Sequence, residues 1–461
     1  MLIQSTIVIL QLVLLLTLST LGEQISHSVE DCSDYYGYGY KKDDLTFKTM
    51  QKHCEEMLMM KPSQLITRNF TSEEKRYINS LFRKLSTETH ARQKRYASKY
   101  RHEEKYPVRY RREVRTAPYL HWQRYVSSVR RLKFDMSGGE GRSRYDTIAD
   151  IHGLAMIQAH DGPNFLAWHR LYLLIYETAL ETPLPYWDSS IDQEMIDPTK
   201  SIVWTSKYFG NGFGEIETGP FAGFQTPGGS LIRNIGADGT LFDKRFIPNI
   251  WAKTRLSEIS DPTASEDDGL EQQHNGVHIW VDGHMDNIAL APHDPVFWLH
   301  HCFVDYIWEV FRMRQMARGI NPEYDFVSSN ITGHNPHESA FGIEGYVNRD
   351  GYSNRIARLV QYDPMPRCPY CGFSPDMYCD GNKGFCVSRE QPFRTYQGNP
   401  VLAREVAKAN GLAEGKFGPV FRLIRRDKRV RGDSVTQPKM KMKMVWVKHF
   451  KNKRDAPYIE P

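Results

Sequence analysis

A chain of 461 residues with 40% apolar and 12% aromatic side chains can build one large domain or two around a sizeable core, which excludes a disordered chain. The net charge is only +5, from 60 basic and 55 acidic side chains, so the average charge selects no class of partner. Residues 1–22 hold an apolar run over 7–18 and end in Thr20, Leu21 and Gly22. That run is too short and wrongly flanked for a membrane span. It reads as a signal peptide, although no Lys or Arg precedes it. No other stretch is long enough to cross a bilayer. The mature protein is therefore expected to be secreted and extracellular, with neither a membrane nor a nucleic acid as partner.

Residues 23–115 are predicted to form an N-terminal extension, which opens on the tyrosine-rich "DCSDYYGYGYKKDD". Thr71 and Glu74 have the spacing of a capping box, and Ile78, Leu81, Phe82 and Leu85 recur behind them at helical spacing. Residues 83–115 are rich in Lys and Arg and poor in aliphatics. An arm for a polyanion is one reading; a solvated linker or processed pro-segment carries more weight. A compact domain is predicted over 116–365. Trp122, Val126, Val129 and Leu132 share a helical face, and helical patterns return in "YDTIADIHGLAMI", over 166–180, and in "PVFWLHHCFVDYIWEVFRMRQMARG". The last stops at Gly319, as a C′ glycine would. Residues 187–268 are a Gly- and Pro-rich connection whose short strands the sequence does not place. The fold class is mainly α, with long irregular loops and a few short strands.

Residues 366–461 are predicted to be a Cys-rich segment and a basic tail, which includes "KMKMKM". Cys368, Cys371, Cys379 and Cys386 suit disulfides in a secreted chain ahead of zinc, with unreadable connectivity. Cys32 and Cys54 lie near the start, and Cys302 reads as a buried apolar residue. Asn69 in "NFT" and Asn330 in "NIT" fit glycosylation acceptors.

The segment 274–308 crowds six histidines among aromatics. His274 and His278 are four apart, so on a helix they lie one turn apart on one face and can close on one metal ion. His300 and His301 are adjacent, roughly 100° apart on a helix, so only one of them faces that point. Phe297, Trp298, Leu299, Phe303 and Trp308 make a dry wall around them. A second group lies upstream: His152, His160 and His169. A lone histidine among aromatics is more often a satisfied core residue than a ligand. Spacing, apolar setting and duplication together favour ligation. All-imidazole sites in pairs, without bridging carboxylates, point to copper rather than di-iron.

These residues resemble the type-3 dicopper proteins: tyrosinases, catechol oxidases and haemocyanins. "HDGPNFLAWHRLYLLIYE" is similar to their copper A signature, and "HNGVH" followed by "DPVFWLHHCFVDYIW" to copper B. Together these matches cover roughly residues 116–318. The cysteine segment is similar to one in secreted molluscan tyrosinase-like proteins of mantle and shell. The resemblance implies a four-helix-bundle core with two copper ions. It implies His152, His160 and His169 on copper A, and His274, His278 and His301 on copper B. His300 and His293 are then not ligands. The interval from His152 to His160 is short, and His121 is the substitute for His152. Where many relatives carry a Cys linked to an imidazole, this chain has Gln158, so no thioether is expected. Asn275 and a nearby Glu are implied to hold a water at the site, with Glu271 the better match and Glu266 the reserve. Asp305 is expected to be structural. Ile279 matches the family's substrate entrance, where an apolar side chain packs a ring. The fungal-type C-terminal lid domain is not evident.

The resemblance further implies a copper oxidase that hydroxylates monophenols or oxidises o-diphenols to o-quinones with dioxygen. The phenols are small molecules or protein tyrosines. Association with an extracellular matrix, in pigmentation or cross-linking, is the implied setting. The water held by Glu271 and Asn275 would take the phenol proton. Metal binding needs deprotonated imidazole, so activity is expected to fall in acid. An oxygen carrier and a matrix structural protein of low activity are the two rival readings.

Overall fold

The first described helix, α1 (Ser72–Tyr96), begins as its sequence predicts. The Glu74 amide donates to Thr71 Oγ1 at 3.2 Å, and the Thr71 amide donates to Glu74 Oε2 at 2.8 Å. This reciprocal cap satisfies two amides that the helix cannot pair internally. Ile78, Leu81, Phe82 and Leu85 are all buried, each contributing about 1.5–3 kcal/mol by leaving water. The computed structural model describes residues 69–96, 108–137, 141–329, 331, 333–392, 419–421 and 444–446. The signal run, Cys32, Cys54, the tyrosine-rich segment, Asn330 and most of the tail lie outside the described residues. Asn69 is exposed.

Helix α2 (Tyr119–Phe134) turns Trp122, Val126, Val129 and Leu132 inward. Four helices carry the histidine segments: α3 (Arg144–Leu154), α4 (Phe165–Leu180), α5 (Leu270–Val281) and α6 (Pro295–Ala317). Every residue of α4 is buried, so it is the central element of the bundle. The Tyr172 hydroxyl ties α4 to the Ile148 carbonyl of α3 at 2.9 Å. His300 Nε2 ties α6 to the His274 carbonyl of α5 at 3.2 Å. Asp294 caps α6 by accepting the Val296 amide, and Gly319 closes it at φ +77°. Among the described residues no helix is long and apolar enough to cross a membrane.

The 187–268 connection is ordered by short pairings. Strand β2 (Phe213–Glu215) runs antiparallel to β3 (Ile232–Asn234), and the short helix Phe246–Ala252 follows.

The basic stretch departs from expectation. Its strand β1 (Arg109–Arg111) pairs in parallel with β4 (Val360–Tyr362), so its last residues, 108–115, belong to the core and are not a solvated linker. Arg111 is fully buried. It makes two bonds to Glu177, at 2.8 and 2.7 Å, and one to Asp305 at 3.0 Å. Arg115 is equally buried between Glu113 and Asp192. Buried arginines need such partners, because an unpaired charge in the interior is costly.

The cysteines form two disulfides, Cys368–Cys379 and Cys371–Cys386, which staple the hairpin of β5 (Met377–Asp380) and β6 (Phe385–Ser388). Cys302 is free and buried, as expected. The chain divides into two units at Gln391, so this knot belongs with the helices and not with the tail. In the second unit, Pro419–Phe421 pairs antiparallel with Met444–Trp446.

Candidate metal centre

Two triads of imidazoles face each other inside the bundle. His152 stands near the end of α3, His160 closes the short helix Met156–Ala159, and His169 lies on α4. His274 and His278 share one face of α5, and His301 reaches in from α6. All six are buried, and within each triad the nearest ring nitrogens lie within 4.8 Å of one another. One ring from each triad, His169 and His301, stack at 4.3 Å and 17°.

The hydrogen bonds decide which nitrogen faces the centre. Nδ1 of His152 donates to the Ile288 carbonyl at 2.8 Å, Nδ1 of His160 to Met156 at 2.9 Å, and Nδ1 of His169 to Phe165 at 2.8 Å. His278 Nδ1 donates to the Met285 carbonyl at 2.7 Å, and His274 Nδ1 donates to Asn275 Oδ1 at 3.0 Å. A neutral imidazole has one N–H, so these bonds leave a bare lone pair on each Nε2. The Nε2 atoms converge: His152 on His169 at 3.3 Å with both lone pairs bare, and His274 at 3.0 Å and His278 at 3.2 Å on His301, whose Nδ1 makes no hydrogen bond that would fix its tautomer. Lone pairs aimed at one another are unfavourable unless a cation lies among them. Burial, followed by neighbouring imidazoles, pushes His152, His169, His274 and His301 well below their ordinary range, so they are neutral as ligands must be. An all-nitrogen set with no carboxylate in either triad fits copper. Phe165 and Phe297 keep the centre dry. Phe165 touches His169 and His274 at 4.7 Å, while Phe297 touches His301 at 4.0 Å and His152 at 5.0 Å.

The neighbouring histidines separate as the spacing suggested. His300 turns away, donating through Nε2 to the His274 carbonyl and stacking on His274 at 4.9 Å. His300→Gln is expected to retain two coppers per chain, and His301→Gln to retain one. Metal analysis of the two variants checks this, and the reverse pattern would mean that α6 is rotated about its axis. His293 is no part of either triad. It donates to Asp146 at 3.0 Å and to Asp150 at 3.2 Å. Burial would push it down, but these two carboxylates outweigh burial and hold it above its ordinary range. His121 is exposed on α2, beside Tyr110 and Arg112, and does not join the upstream triad.

Glu271 Oε1 accepts the Asp161 amide at 2.8 Å, next to His160, while its Oε2 is buried without a partner. The residue thus leans from the second triad onto the first. Burial, then Asp161 and Asp261, push its carboxyl well above the usual range. Glu266 opens the short turn Glu266–Asp268, and its side chain lies outside the described residues. Ile279 is 6% exposed, under the turn that carries Gly239. The Thr240 amide donates to the Gly276 carbonyl at 3.1 Å, and that of Gly236 to Trp280 at 2.7 Å, so this turn lies directly on α5. Sequence reasoning missed that turn, and it missed Phe165 and the carbonyls of Met285 and Ile288. A backbone acceptor leaves no mark on residue type.

The model of the common central domain of tyrosinase matches residues 142–314, which contain both triads. Tyrosinase-like protein 1 of Margaritifera margaritifera is 34% identical over 379 residues, covering 76% of this chain and 74% of that protein. A tyrosinase-like protein of Pinctada maxima is 34% identical over 352 residues, 70% of this chain and 75% of its own. The tyrosinase of Streptomyces glaucescens is 30% identical over 237 residues, 43% of this chain and 81% of its own. With two complete imidazole triads in place and relatives matched over most of their length, the chain belongs to the tyrosinase family of type-3 copper oxidoreductases.

Proposed function

We propose that the protein is a secreted phenol oxidase which hydroxylates monophenols and oxidises o-diphenols to o-quinones with dioxygen. Its substrates are small phenols or protein tyrosines. The two buried imidazole triads carry this reading. His152, His160 and His169 would hold one copper, and His274, His278 and His301 the other. When bound, the copper pair supplies the redox centre that reduces dioxygen as the phenol is oxidised. The protein's own side chains hold the metals, exclude water through Phe165 and Phe297, and manage the phenol proton. Glu271 and Asn275 are assigned the last task, as the holders of a water that receives this proton. Glu271 has a free, buried Oε2, and the Asn275 oxygen is fixed on the His274 ring.

We place the dicopper chemistry in residues 116–365, with 1–22 as a signal peptide and glycosylation at Asn69 and Asn330. An extracellular role in pigmentation or in cross-linking a shell matrix is the setting we assign to the protein, on the apolar run at 7–18 and the cysteine segment at 368–386.

Glu271→Gln tests the proton assignment. The amide can still accept the Asp161 N–H, so the fold and copper content should hold. Monophenol turnover should fall by about 10²-fold, as for loss of a general base. Diphenol turnover should fall less, because a diphenol enters the cycle without the hydroxylation step. Equal losses on both substrates would remove Glu271 from this role.

A further inference from the structure

Each triad takes one ligand support from the same stretch of chain. The Met285 carbonyl holds His278 of one triad, and the Ile288 carbonyl, three residues on, holds His152 of the other. The other described Nδ1 partners are local, on the ligand's own helix or turn. The spatial relation of His152 to His278 therefore depends on how residues 282–290 are held.

They are held by three consecutive residues of β3. Asn234 Nδ2 donates to Asp282 Oδ2 at 2.9 Å, where the stretch leaves α5. Ile232 grips the next part. Its carbonyl accepts the His284 amide at 3.2 Å, and its amide donates to His284 Nδ1 at 3.3 Å. His284 is buried, and its Nε2–H donates to Thr226 Oγ1 at 2.8 Å. Arg233 fixes the chain just beyond the stretch through two bonds to Asp294, at 2.6 and 2.7 Å, with both side chains fully buried. Asp294 caps α6, which carries His301. Between the outer clamps the backbone is committed. Asp282 has φ 57° and Gly283 φ 65°. A Cβ at Gly283 would lie 2.3 Å from the Ile232 carbonyl oxygen, so only glycine lets the turn approach β3 this closely. Asn287 closes the stretch by accepting the Ala289 and Leu290 amides on its Oδ1.

We propose that residues 282–290, clamped by Ile232, Arg233 and Asn234, form a shared brace that positions one imidazole of each copper site. Asn234, Gly283 and His284 are positioning residues in it. None touches either triad; each acts through the carbonyls of Met285 and Ile288. The inference rests on the assignment of the triads as copper ligands. Loosening the brace frees the rings of His278 and His152 together, so both metals weaken together.

The test is copper affinity at each site, read by competition with a chelator in the full-length protein. Asn234→Ala and His284→Ala are the variants. Changes to groups that orient ligands cost about 10–100-fold in metal affinity, and that loss is expected at both sites. Val129→Ala, in the α2 core, serves as a comparison that lowers stability without touching the brace. It should leave both affinities within about threefold. His284→Gln, which keeps a donor and an acceptor, should recover part of the loss. Wild-type affinity at both sites in Asn234→Ala and His284→Ala, with only a lower melting temperature, would overturn the brace. So would a loss confined to one site. Failure of the wild-type protein to bind two coppers would instead strike the ligand assignment itself. If Asn234→Ala does not fold, the His284→Gln and His284→Ala pair carries the same comparison.

Discussion

His169→Ala and His278→Ala should each leave a folded, copper-poor protein with oxidase turnover more than about 100-fold below wild type. Each removes one of three imidazoles from one triad, and among the described residues neither triad includes a fourth donor. His300, the nearest spare ring, is committed to the His274 carbonyl, and His293 is held by Asp146 and Asp150. Outer groups that merely orient ligands cost about 10–100-fold, and loss of a ligand must exceed that. His169 also stacks on His301 of the facing triad, so its loss should disturb the second metal too. The Nε2 of His278 meets His301 of its own triad at 3.2 Å, so His278→Ala should be the cleaner single-site lesion. Copper per chain and circular dichroism are the measurements. Two coppers with normal turnover in either variant would refute its place among the ligands.

The second large effect is on stability. Asp305 lies one helical turn beyond His301 and is shared by two buried arginines. Its Oδ1 accepts Arg170 Nε at 2.7 Å, and its Oδ2 accepts Arg111 Nη1 at 3.0 Å as well as the Tyr362 hydroxyl. Arg111 links onward to Glu177 on α4, and Arg170 to Glu309 on α6. This network ties β1, α4 and α6 together beneath the metal centre. Asp305→Ala leaves two guanidinium groups short of a counter-charge in the interior, a change that costs about 3–5 kcal/mol. Asp305→Asn, which keeps an acceptor but no charge, should cost less. Urea denaturation monitored by tryptophan fluorescence gives both values, and a cost under about 1 kcal/mol for Asp305→Ala would show that the network does not brace the core.

That network also marks where the sequence stops being informative. The histidines were legible because ligation imposes spacing: a four-position step from His274 to His278, and an adjacent pair of which only His301 turns inward. The cap at Thr71 and Glu74, the apolar face of α2 and the stop at Gly319 were legible because they are local. The cysteines were legible as disulfides, and their pairing was not, since four thiols allow three connectivities. Arg109, Arg111 and Arg115 read as part of a solvated basic stretch because their acidic partners lie 66 and 194 residues away in the case of Arg111. Nothing in a run of Lys and Arg shows which members are paired across the fold. The 187–268 connection resisted placement for a related reason. Its strands span two or three residues, too few for an alternating pattern, and contacts such as Arg233 with Asp294 hold it in place. The turn over Ile279 was hidden in the same way, so an entrance that looked open in sequence is backed by Gly239.

The central claim is that the two triads hold a copper pair which oxidises phenols. The most direct measurement is copper content of the purified wild-type protein, with oxygen uptake on a monophenol and on a diphenol such as catechol. Two coppers per chain are expected, with prompt uptake on the diphenol and slower uptake on the monophenol. Two coppers and reversible oxygen binding, with no consumption of either phenol even after limited proteolysis, would contradict the enzyme reading and put an oxygen-carrying or matrix role in its place.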